Sequence, residues 1–117
     1  MRQLKVGIMP KDQFQKRLLD IASGRYQLKP NEPKIWFSSI KSLSEVLSEN
    51  NVRLLRLIVE HHPETLTQLA EISGRQKSNL SRTLKTMERY GIVQLQKTAK
   101  SIKPIAKATS FSIQYAA

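Results

Sequence analysis

The side chains best placed for chemistry in this 117-residue sequence are Lys77, Ser78, Asn79, Ser81, Arg82, Lys85 and Arg89. At helical spacing they share one face, rich in hydrogen-bond donors and positive charge and free of acids. Such a face suits double-stranded DNA. In the major groove Arg or Lys pairs with guanine, an amide such as Asn79 with adenine, and Ser hydroxyls reach bases or phosphates. Arg82 and Asn79 are the leading candidates for base contact. Arg89, at the C-terminal end, serves equally well to complement its own helix dipole or to pair with Glu88 or Glu60. A second basic group, Lys97, Lys100 and Lys103, suits phosphates or the minor groove.

Other chemistries find little to work with. There is no cysteine, which excludes thiolate metal sites, iron–sulfur clusters, cysteine nucleophiles and disulfide scaffolds. His61 and His62 are adjacent, so on a helix they point in different directions, and no carboxylate pair completes a site. They are expected at the surface or capping a helix end, with no metal and no cofactor. No nucleophile–base arrangement or glycine-rich phosphate loop is present, so an enzyme is not expected. Trp36 and Phe37 suit interface or core anchors better than a ligand cage.

The charge balance agrees with the acid-free face. The chain carries 20 Lys+Arg against 9 Asp+Glu, a formal charge of +11. Residues 1–34 hold eight basic and three acidic side chains, residues 35–73 three and five, and residues 74–107 nine and one. The last ten residues are uncharged. A basic face pointing to a polyanion follows, more than a uniformly basic chain. No apolar run reaches the length needed to cross a bilayer; a soluble, cytoplasmic, nucleoid-associated protein without membrane contact is expected.

The elements that position these residues can be traced along the chain. Leu4, Val6 and Ile8 alternate as a strand; Pro10 opens a helix with Phe14, Leu18, Ile21 and Ala22 on one stripe, and Gly24 ends it. This first unit cannot bury its own stripe. It should pack on the rest of the protein, on a second copy or on another protein, and Phe14, Leu18, Ile21, Trp36 and Phe37 are the candidate residues for a dimer or partner interface. Residues 29–34 form a proline-bounded connector, so the domain division falls at 1–35 and 36–117. Ser42 and Glu45 match a capping box, although that helix can start near Ser39. Residues 48–51 then break the pattern. Next comes a helix with Leu54, Leu55, Leu57 and Ile58 inside, stopped by Pro63. Thr65 and Gln68 cap a short helix that Gly74 closes, and residues 77–90 form another, closed by Gly91. Ile92, Val93 and Leu95 read as a strand, residues 98–103 as a basic turn, and residues 105–113 as a second strand starting at a sheet edge near Pro104.

Ala70, Gly74, Leu80 and Leu84 form the skeleton of a helix-turn-helix. The small Ala70 admits a close crossing, Gly74 supplies a positive φ, and Leu80 and Leu84 plug the second helix into the core. From Leu54 to about Lys107 the chain resembles the winged helix-turn-helix repressors of bacteria and archaea, the group that includes the MarR and ArsR families. The resemblance is carried by Thr65-Leu66-Thr67-Gln68-Leu69-Ala70-Glu71-Ile72-Ser73-Gly74. It is strongest in Ser78-Asn79-Leu80-Ser81-Arg82-Thr83-Leu84-Lys85-Thr86-Met87-Glu88-Arg89-Tyr90-Gly91-Ile92-Val93. It implies a homodimer on two half-sites, with Ser78, Asn79, Ser81 and Arg82 at base edges. The chain departs from the family in a wing without glycine and in its first 35 residues.

The expected fold is mainly α with a small β wing, a winged helix-turn-helix preceded by an N-terminal strand-helix arm. The expected function is a sequence-specific DNA-binding transcriptional repressor. The alternative is an antitoxin that neutralises a partner toxin through its arm and autoregulates its operon. Sequence-neutral architectural binding is a third reading, and a basic membrane binder is disfavoured because the charged face is polar throughout.

Overall fold

The computed structural model of the protein describes residues 3–115. Alternation at the N-terminus produces β1 (Gln3–Ile8), and Pro10 leads into α1 (Lys11–Ala22), with Asp12 in its first turn. There follow β2 (Ile35–Phe37), α2 (Ile40–Val46), α3 (Glu49–His61), α4 (Leu66–Ser73), α5 (Lys77–Tyr90), β3 (Val93–Lys97), β4 (Ile102–Ala106) and β5 (Ser110–Tyr115). Five helices and five strands among the described residues make the protein mixed α/β rather than mainly α.

Local polar chemistry sets the helix starts. Ser39 Oγ accepts from the Ser42 amide at 3.0 Å and Ser42 Oγ accepts from the Ser39 amide at 3.3 Å. The capping box thus closes one turn ahead of the Ser42–Glu45 pair. Residues 48–51, expected only to interrupt the pattern, begin α3: Ser48 Oγ accepts from the Asn51 amide at 3.3 Å. Thr65 Oγ1 caps α4 by accepting from the Gln68 amide at 3.1 Å, whereas Gln68 Oε1 accepts from Glu64, one residue before the expected partner.

The largest difference from expectation lies in the sheets. Residues 105–113 are not one strand. The chain leaves β4 after Ala106, turns with Ala108 fully buried, and enters β5. β4 pairs antiparallel with β3 as a two-stranded hairpin, and Pro104, opposite Leu95, lies inside it. β5 instead runs parallel to β1, which also pairs parallel with β2, giving the order β2-β1-β5. The strand of the expected arm is the middle of a sheet whose flanking strands come from residues 35–37 and 110–115. β5 pairs along the whole of β1 and β2 along its last three residues, Val6 to Ile8, so the backbone of that end of β1 is paired on both edges.

The register puts Val6 beside Ile35, Ile8 beside Phe37 and Leu4 beside Phe111 on one sheet face. Val6, Ile8, Ile35 and Phe37 join Leu54, Leu55, Leu69, Leu80, Leu84 and Met87 in a continuous core. Phe37 stacks on Tyr90 with ring centroids 4.4 Å apart, tying the sheet to α5. On the other face Gly7 lies beside Trp36, and the Arg17 guanidinium from α1 sits 5.0 Å over Trp36 and 5.1 Å over Tyr26 while donating to Glu32 at 3.0 Å. α1 has no buried residue. Among the described residues no helix is long and apolar enough to cross a membrane.

A Cβ at Gly7 would run into the six-membered ring of Trp36, which Arg17 covers. Gly7→Ala is expected to lower stability by about 1–3 kcal/mol, seen as a lower urea midpoint with an unchanged slope. An unchanged midpoint would show that the ring moves freely.

Candidate functional site

The site begins with α5. Leu80, Leu84 and Met87 are each 0% exposed, so the core holds one side of the helix and turns the other outward. Gly74, at φ 73°, and Gly91, at φ 82°, close α4 and α5 in the left-handed conformation. Within that frame Lys77, Ser78, Arg82, Lys85 and Arg89 are exposed, and Asn79 and Ser81 half-buried. Lys77, Arg82 and Lys85 form no ion pair among the described residues. Arg89 donates to Thr86 Oγ1 on its own helix at 3.3 Å. Glu88, the one acid between residues 74 and 107, accepts from the Leu95 amide at 3.2 Å and so bonds to β3.

The hairpin that follows turns without glycine. Thr98 and Ser101 replace it: the Thr98 amide donates to the Ser101 carbonyl at 2.9 Å, and Thr98 Oγ1 accepts from the Ser101 amide at 3.1 Å. Lys97 and Lys100 are exposed here. Lys103 lies not in the turn but in β4, opposite Gln96, with Nζ 3.5 Å from Glu64 Oε1. It differs from Lys97 and Lys100 in having a carboxylate partner, although the pair is partly open to solvent and correspondingly weak.

Arg75, which the sequence reading passed over, organises the start of α5. Its guanidinium donates to Asn79 Oδ1 from Nε at 2.9 Å and from Nη2 at 2.7 Å, to Thr83 Oγ1 at 3.1 Å and to Asn51 Oδ1 at 3.0 Å. Asn51 Nδ2 in turn donates to the carbonyls of Val46 at 3.1 Å and Glu45 at 3.3 Å. One connected set of hydrogen bonds thus joins α2, α3, the turn and α5. Asn79 and Thr83 lie four residues apart on one face of α5, and Arg75 precedes Asn79 by the same step in the turn, the signal that could have revealed it.

The remaining expected residues fall in several places. Phe14 and Ile21 are half-buried, and Leu18 is 50% exposed. Trp36 is half-buried beneath Arg17. Of the interface and core roles open to Phe37, it takes the core, at 1% exposed. It is therefore removed from the interface group: the Tyr90 ring and the packed helices leave it no surface. His62, at φ 48°, ends α3 in the left-handed region, its amide donating to the Ile58 carbonyl at 3.0 Å. Among the described residues no group of three or more His, Cys, Asp or Glu has a metal-binding arrangement.

Because Asn51 ends the carbonyls of α2 and also receives Arg75, Asn51→Ala is expected to destabilise the protein by about 1–3 kcal/mol, the cost of orphaned polar groups. Chemical denaturation followed by circular dichroism measures this; a change within error would mean water takes its place without loss.

No curated protein matches the chain. The HVO_A0114 family model matches residues 46–113, from the last residue of α2 into β5. With more than half of its length covered, the chain belongs to the HVO_A0114 family.

Proposed function

We propose that the protein is a sequence-specific double-stranded DNA-binding regulator of transcription, a repressor, in which α3 to β4 act as a winged helix-turn-helix. α5 enters the major groove and the β3–β4 hairpin lies over phosphates or the minor groove. The reading rests on one observation above all: α5 is held by a fully buried Leu80, Leu84 and Met87 stripe while Lys77, Arg82 and Lys85 stand exposed without ion pairs among the described residues. Cations held this way keep their full charge for phosphates, and each phosphate they neutralise releases condensed counterions. Arg82, in mid-helix, has the length and donor fork for a guanine edge. Lys103 ranks below Lys97 and Lys100 because Glu64 competes for it.

In this reading the protein acts as a homodimer in the nucleoid, on half-sites about one helical turn apart. Arg82→Ala is expected to lose about 1–3 kcal/mol on DNA selected by the protein and less on random duplex, whereas Lys100→Ala weakens both alike and lowers the salt slope by about one. Binding measured at about 50 and about 200 mM salt checks this. Equal losses for Arg82→Ala on selected and random DNA would leave only sequence-neutral binding.

A second reading, an antitoxin that also engages a toxin protein, is favoured by α1. Leu18 is 50% and Leu19 70% exposed on a helix with no buried residue, an apolar surface suited to a protein partner. Because β1 is the middle strand, deleting the arm would dismantle the sheet; the test is a surface change. Leu18→Ser with Leu19→Ser is expected to abolish co-purification with the product of an adjacent gene while leaving DNA binding intact. Undiminished co-purification would discard this role for α1.

A further inference from the structure

Asn79 is placed where a base-reading amide belongs, but it is not free to read as an asparagine usually does. A carboxamide oxygen has two lone pairs, and Asn79 Oδ1 accepts two hydrogen bonds from Arg75, at 2.9 Å from Nε and 2.7 Å from Nη2. Both donors are charged, which makes these bonds about twice as strong as neutral ones. The guanidinium is itself held by Asn51 and Thr83, and Asn51 is anchored on the end of α2. Turning the Asn79 amide over would set its NH2 group against the guanidinium. Among the described residues Nδ2 has no partner, and no buried side-chain nitrogen or oxygen lacks one. The Asn79 NH2 group is therefore open to solvent, at the edge of a hollow of about 470 Å³ that Ser48, Asn51, Arg53 and Arg75 also line.

An unconstrained asparagine reads adenine with both halves of its amide, accepting from N6 and donating to N7. With the oxygen loaded, only the donors remain. Adenine then sets its N6 amino group against an amide with no acceptor to offer, while guanine presents two acceptors, N7 and O6, and thymine presents O4.

We propose that Arg75 is a positioning residue that makes Asn79 a donor-only reader, so that α5 selects acceptor edges, guanine foremost, at the position Asn79 faces, and disfavours the adenine that an asparagine there would otherwise choose. The proposal rests on the DNA-binding reading and supplies its specificity.

The test is selection from a pool of duplexes randomised over about two helical turns, with the unaltered protein, Asn79→Ala and Arg75→Met. Asn79→Ala is expected to relax one position per half-site at which the unaltered protein prefers guanine or thymine by about tenfold. Arg75→Met, which frees the oxygen, is expected to move that same position toward adenine and leave the others unchanged; a merely structural role would weaken binding without changing the base. Adenine at the position relaxed by Asn79→Ala, no relaxed position at all, or an unchanged preference in Arg75→Met each overturns the proposal. Should Arg75→Met fail to fold, the Asn79→Ala comparison decides alone. If the unaltered protein binds no duplex, the DNA-binding reading falls with it, an outcome distinct from an enriched motif carrying adenine.

Discussion

The burial of Leu80, Leu84 and Met87 governs what the rest of the molecule presents. All three are completely removed from solvent, and full burial of such side chains is worth about 1.5–3 kcal/mol each. Rotating α5 by one residue would expose them and press Lys85 and Glu88 into the core in one direction, or Asn79, Thr83 and Thr86 in the other, where buried charge or unpaired polar groups are costly. The helix consequently has one azimuth, and its cationic face is set by what lies behind it. The positive φ of Gly74 and Gly91 allows the chain to reach and leave α5 at that azimuth without strain.

The parallel sheet supports the same helix from the other side. Phe37 reaches from β2 to stack on Tyr90 at the C-terminal end of α5, while Arg75 and Asn51 fix its N-terminal end. One end is held by aromatic area and the other by hydrogen bonds. Glu88 adds a third tie by bonding the backbone of β3, which couples the hairpin to the helix and keeps the only acid of that segment engaged with the backbone.

How much was legible in the sequence depended on the range of the interaction. α3, α4, α5, the left-handed glycines and the Thr65 cap follow from periodicity and local hydrogen bonds, and all are present close to where they were expected. β1 and α1 were also readable as elements. The pairing of β1 with β5 was not, because it joins residues far apart in the chain, and nothing in Ser110 to Tyr115 distinguishes a strand continuing a hairpin from one crossing to another sheet. Ala108 supplied no turn signal, and it is fully buried where the chain passes from β4 to β5. The cationic side chains of α5 were legible because charge cannot be buried there. The engagement of Asn79 was not, since its partner lies in the turn and depends on Asn51 from α3, a tertiary coincidence that helical spacing hints at but does not establish.

The position of β1 orders events during synthesis. Gln3 pairs with Ser110 and Ile8 with Tyr115, so at ribosomal speeds one edge of the strand waits on the order of ten seconds for its partner to be made. The helical residues between them need no such delay, since their contacts are largely local. Throughout that interval β1 has an open backbone edge, and Lys5, exposed in mid-strand, places a charge there of the kind that discourages pairing with a stranger. The nascent chain is thus exposed along the edge that β5 covers from Gln3 to Ile8 in the finished protein.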